Sequence, residues 1–179
     1  FAPQFTATPA LAATGLLALT ATAALARWGC GELADRIAPR PITGILALTA
    51  CAGLALTAYA VGSDRTAVLP VGLLLLGAAY GGLQSLTLVQ AFDYAGAENR
   101  HAASVAWNIG YDAGTGLGSL MLGVAAQVAT FSAGFTVLSA LMALAGLAVL
   151  LTGHSESADP PVSRRPRAPG TERPSLGKR

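Results

Sequence analysis

Four stretches of this chain contain no Asp, Glu, Lys or Arg: residues 1–26, 41–63, 66–92 and 113–155. Crossing a bilayer core of about 30 Å takes roughly 20 mostly apolar residues in a helix, so each window is long enough to span a membrane. In hydrocarbon an unpaired backbone N–H or C=O costs several kcal/mol, which leaves helices and closed barrels as the available spanning structures. The period-2 alternation of a barrel strand is missing here. The last window is too long for one span, and the Gly and Ser residues near 129–134 allow a break. The pattern therefore predicts five helices, at about 9–28, 42–62, 68–92, 102–127 and 131–153, in an all-α membrane protein whose residues 1–153 form the transmembrane part.

Composition agrees with lipid as the solvent. Only 11% of the residues are charged and 53% are hydrophobic, with a mean hydropathy of +0.56; soluble domains carry about 25% charged residues. The formal net charge of +2 comes from the C-terminal end: residues 154–179 hold six basic and three acidic side chains, which leaves five and six in residues 1–153. A nucleic-acid partner is not expected of such a body. The end segment also carries half of the prolines, Pro160, Pro161, Pro166, Pro169 and Pro174, and so is expected to be a disordered basic tail. Arg27, Arg36 and Arg40 follow the first helix and Arg100 the third, whereas only Arg65 follows the second and no basic residue follows the fourth. By the positive-inside rule the first and third connections and the tail face the cytoplasm, with Phe1 outside. No basic segment precedes the first apolar run, so a cleaved leader is not expected, and the chain reads as an internal piece of a longer protein.

Reactive constellations are scarce. His101 and His154 fall at membrane edges, and Cys30 and Cys51 lack metal-ligand spacing. Gly29-Cys30-Gly31-Glu32-Leu33-Ala34 has the letters of a dinucleotide fingerprint, but no βαβ unit surrounds it. The expectation is a protein without enzymatic chemistry, cofactor or metal.

Two segments are more informative. Gly31-Glu32-Leu33-Ala34-Asp35-Arg36-Ile37-Ala38-Pro39-Arg40 packs two acids (Glu32, Asp35) and two bases (Arg36, Arg40) into a short connection. There Gly31 permits close approach of backbones, Asp35 can face a helix N-terminus, and Arg36 can pair with an acid such as Asp93; an ordinary positive-inside loop is the plainer reading. The second is the helix around Asp112, roughly 15 Å from its cytoplasmic start at 1.5 Å per residue and so near the bilayer midplane. A carboxylate at that depth costs at least about 2.5 to 3.5 kcal/mol unless it faces water, finds a partner or is protonated. At 100° per residue Ser104, Asn108, Asp112, Thr115 and Ser119 share a sector of about 80°, while Gly110, Gly114 and Gly118 gather elsewhere as a ridge suited to helix packing. The preceding helix repeats the theme with Tyr80, Gln84 and Thr87 on one side and Gly77, Gly81 and Ser85 spaced by four. Trp28 is expected to be an interfacial anchor, and Trp107 with Tyr111, one turn apart, a cavity wall.

The decapeptide resembles the G-x-L-a-D-R-x-G-R-[RK] signature of the major facilitator superfamily through Gly31, Leu33, Ala34, Asp35, Arg36 and Arg40. Ala38 and Pro39 depart from it in the way of the degenerate copy after helix eight. Asn108-Ile109-Gly110-Tyr111-Asp112-Ala113-Gly114-Thr115-Gly116-Leu117-Gly118 is similar to the D-x-G-x-x-x-G helix eleven of bacterial drug and small-solute exporters. The resemblance implies helices eight to twelve of a twelve-helix secondary transporter in a bacterial inner membrane, working with an N-terminal half outside this chain; helices two to six are the other register. It further implies proton-coupled efflux of a small organic solute, with Asp112 as the coupling or substrate carboxylate and Asn108, Tyr111, Trp107, Thr115 and Gln84 as cavity residues. Gly31, Asp35, Arg36, Arg40 and Asp93 would form a cytoplasmic charge latch. A non-transporting membrane scaffold or receptor module is the competing reading. Lipid, solute and proton are the expected partners.

Overall fold

In a computed structural model, residues 9–34 and 36–156 are described. Five helices follow one another: α1 Pro9–Ala34, α2 Pro39–Gly62, α3 Leu69–Ala95, α4 Arg100–Val128 and α5 Phe131–Glu156. No strand occurs among the described residues. Each expected helix is present. The basic tail beyond residue 156 lies outside the described residues, as does Asp35.

Local chemistry explains where the helices begin and end. Proline occupies the first turn of α2 and of α3, where its missing N–H would have had no intrahelical partner. Gly96 ends α3 at φ 75° and donates its N–H to the Phe92 carbonyl, a left-handed geometry that glycine adopts without a Cβ penalty. At the first connection the helix runs further than the charge pattern indicated. Gly31 to Ala34 belong to the last turn of α1, and the chain turns only after that, with Arg36 and Ile37 both donating their N–H to the Leu33 carbonyl at 3.0 Å. Charge ends a membrane window, but it does not end a helix: Arg and Glu are both good helix formers.

By length and composition, three of the helical segments can cross a membrane, Pro39–Gly62, Thr66–Ala95 and Phe131–Thr152. The polar mid-section of α4 sets it apart from these. Threonine hydroxyls within the bundle are satisfied locally, as where Thr57 donates to the Gly53 carbonyl at 2.8 Å and Thr115 to the Tyr111 carbonyl at 2.9 Å; such back-bonding lets a hydroxyl sit in an apolar helix.

α2 is central, packing on α3 and α5, and α1 lies along α3. α4 leans on α3 and α5 through far fewer neighbours. The buried residues are mostly small: Ala23, Ala47, Ala50, Ala58, Ala60 and Ala79, with Leu69, Leu73, Leu86 and Leu122. Small residues let backbones approach, which is how helices associate where lipid removes the hydrophobic drive. At the α2–α3 crossing a Cβ added to Gly53 would lie 3.0 Å from the Gly72 carbonyl oxygen, and one added to Gly72 would lie 3.1 Å from that of Gly53. Large apolar side chains point outward instead, among them Leu17, Leu25, Ile45, Ile109, Leu120 and Leu144, as expected of a surface solvated by acyl chains.

Candidate functional site

The loose seating of α4 leaves a groove of about 740 Å³ walled by α2, α3, α4 and α5. Tyr80, Leu83, Gln84 and Thr87 line it from α3; Tyr111, Thr115, Ser119 and the three glycines Gly110, Gly114 and Gly118 line it from α4. Ala50 and Leu54 of α2 and Leu138, Leu141 and Met142 of α5 complete the apolar wall. None of the lining residues bears a formal charge. Its size lies within the ~300–1,000 Å³ of small-molecule sites, which combine apolar walls with a few polar groups.

Tyr80 and Tyr111 each lie eleven residues along their helices, roughly 17 Å from the start and so near mid-height. There the aromatic rings meet. Trp107 stacks on Tyr111 with centroids 5.0 Å apart and planes at 16°, and Tyr111 meets Tyr80 at 6.0 Å and 54°. The indole N–H of Trp107 donates to Thr87 Oγ1 at 3.0 Å, and Thr87 in turn donates to the Leu83 carbonyl at 2.6 Å. Trp107 thus stands behind the wall, holding Tyr111 in place, while Tyr111 and Tyr80 present their rings to the groove. Two buried polar atoms here have no hydrogen-bond partner, Gln84 Oε1 and the Tyr111 hydroxyl. An unmet buried group of this kind costs about 1–3 kcal/mol.

The other expected residues are placed as follows. Asp112 adjoins Tyr111 in sequence but is exposed on the flank of α4, twelve residues from the helix start and roughly 18 Å along it; it does not line the groove. Asn108 is also exposed and donates its amide to the Ser104 carbonyl at 2.8 Å. The polar sector of α4 is therefore divided: Thr115 and Ser119 look into the groove, and Asn108 and Asp112 lie outside it. At Gly110, Gly114 and Gly118 an added Cβ would meet nothing within 4 Å, so no helix among the described residues packs against this row. In the charged connection, Arg36, Arg40 and Asp93 are exposed, and a Cβ at Gly31 would rest 3.6 Å from Ser85 Oγ of α3.

Sequence reasoning missed a second polar tie. Gln90 of α3 donates its amide to Thr43 Oγ1 of α2 at 2.6 Å, and Thr43 donates to the Pro39 carbonyl at 2.9 Å. This chain of bonds fixes the exit of the charged connection against the C-terminal end of α3. Its signal was available, because Gln90 is one of only two glutamines within the charge-free window 66–92. The walls from α2 and α5 carried no such signal, being alanine, leucine and methionine like the lipid-facing surface.

The family model described as Major Facilitator Superfamily matches residues 1–178. No curated protein and no solved structure matches the chain.

Proposed function

Since the chain belongs to the Major Facilitator Superfamily, whose members carry solutes across membranes, we propose that it supplies helices eight to twelve of a proton-coupled exporter of a small organic solute. An N-terminal half outside this chain completes the carrier, and the two halves rock about a site near the midplane. The observation that carries this reading is the uncharged, aromatic-walled groove at mid-height, with an ionisable carboxylate on the same helix immediately after Tyr111. Asp112 is costly in hydrocarbon, and its exposed flank suits a water-filled path or the facing half of the carrier. Protonation there couples ion to solute; Gln84, Tyr111 and Thr115 contact the solute, Trp107 positions Tyr111, and Asn108 sits beside the proton path. The row Gly110, Gly114 and Gly118 keeps that face of α4 open for solute or for a helix of the other half. The arginine distribution supports a bacterial inner membrane orientation with Phe1 outside and the basic tail in the cytoplasm.

The coupling role is tested by Asp112→Asn in the full-length protein in proteoliposomes. Flux driven by a pH gradient should fall at least about tenfold, the effect of roughly 1.4 kcal/mol, and the residual flux should no longer follow the gradient. Flux that keeps both its rate and its pH dependence removes Asp112 from the mechanism.

The charged connection acts in this scheme as a latch. Gly31, Asp35, Arg36, Arg40 and Asp93 bias the balance between inward-open and outward-open forms, which needs a difference of only a few kcal/mol. Asp93→Lys should shift cysteine-labelling rates on the two sides of the membrane in opposite directions; unaltered rates on both sides reject the latch.

A further inference from the structure

The groove's lining defines a solute by what it offers and by what it withholds. Among the described residues of this half it is lined by no Asp, Glu, Lys, Arg or His, so a charged molecule seated against these helices would lose hydration without gaining a counter-charge from them, a penalty that grows steeply in a low-dielectric site. What it offers is two tyrosine rings set at 54° to each other, one of them braced from behind by Trp107, and an amide oxygen at Gln84 that is buried with no donor. Ring faces and edges of this kind favour offset-stacked and edge-to-face contacts with another ring. A carbonyl oxygen can only accept, so the missing partner at Gln84 is an N–H or O–H of the ligand.

Resting on the transport reading above and deepening it, we propose that the solute taken by this groove is an uncharged, flat aromatic molecule carrying at least one N–H or O–H donor. The ring lies against Tyr80 and Tyr111, and the donor meets Gln84 Oε1. Leucine and methionine side chains from α4 and α5 close over the remaining edges. Asp112 stays outside this contact and reads the proton, not the solute, so the site needs no charge on what it binds.

Equilibrium binding of radiolabelled carbazole to the full-length protein in lipid nanodiscs tests this, with empty nanodiscs as the partition control. Carbazole is a neutral, planar N–H donor, and N-methylcarbazole keeps the ring but loses the donor. Saturable carbazole binding should exceed that of N-methylcarbazole by about tenfold, the worth of one well-placed hydrogen bond. In Gln84→Leu the preference should vanish while N-methylcarbazole binds as before, which also shows that the site is still folded. Equal binding of the two ligands to the unaltered protein overturns the proposal, as does tighter binding of the permanently charged N-methylacridinium. Uptake no greater than that of empty nanodiscs also overturns it, because the groove is then filled by an acyl chain or by another helix. Carbazole binding without flux would sink the transport reading and leave the ligand class standing, whereas pH-driven flux of a cation with no carbazole binding would do the reverse.

Discussion

α3 and α4 each carry a row of small residues spaced by four, and the two rows have opposite fates. In α3, a Cβ added at Gly77 would fall on the Leu19 carbonyl and the Thr22 hydroxyl of α1, and one added at Gly81 on the Ala23 carbonyl. In α4, Cβ atoms added at Gly110, Gly114 and Gly118 meet nothing within 4 Å. One row is a helix contact and the other lines a groove. Glycine spacing thus reports that a helix can be approached closely, a necessary condition, while the neighbours decide what does the approaching. The way each helix is held differs accordingly. α1 is fastened to α3 by backbone-to-backbone packing over much of its length, whereas α4 is tied to α3 at mid-height by the Trp107–Thr87 hydrogen bond and the ring contact of Tyr111 with Tyr80.

The largest expected effect of this difference is at Gly81. In Gly81→Ala the new methyl collides with backbone, which cannot rotate away as a side chain can, so α1 and α3 must separate. Overpacking of this sort costs about 1–3 kcal/mol, against a gain of at most ~1 kcal/mol from helix propensity. The full-length protein in nanodiscs should show a clearly lower thermal midpoint. A midpoint equal to that of the unaltered protein would mean that α1 does not seat on the Gly77–Gly81 row, and the contrast with α4 would disappear.

The legibility of these features followed the same division. Helix number and most helix ends could be read from the charge-free windows, because hydrocarbon tolerates little besides an apolar helix. The six additional residues of α1, 29–34, were hidden because charge marks the edge of lipid and not the end of a helix. Within the site, Gln84, Tyr111 and Thr115 stood out as polar groups in apolar helices, and the structure brings them to one groove. The helical wheel correctly separated the glycines of α4 from its polar sector in angle. It could not say that the groove would take in the glycines and only part of that sector, leaving Asp112 on the flank, because angles around one helix do not locate its neighbours. For the same reason Leu54, Leu138 and Met142 could not be told from lipid-facing residues until the packing of α2 and α5 was known.

The smallest effect, and the sharpest use of the comparison, is Gly114→Ala. With nothing within 4 Å of its added Cβ, the substitution should leave stability unchanged or raise it by up to ~1 kcal/mol through helix propensity. One methyl group projecting into a groove of about 740 Å³ should leave carbazole affinity within about threefold, since a methylene in an apolar site is worth only ~0.8 kcal/mol. Loss of stability on the scale of Gly81→Ala would show instead that a helix of the full-length protein lies against this row. The groove would then be an interhelical contact, α4 would be held as α1 is, and the two rows would be one device used twice.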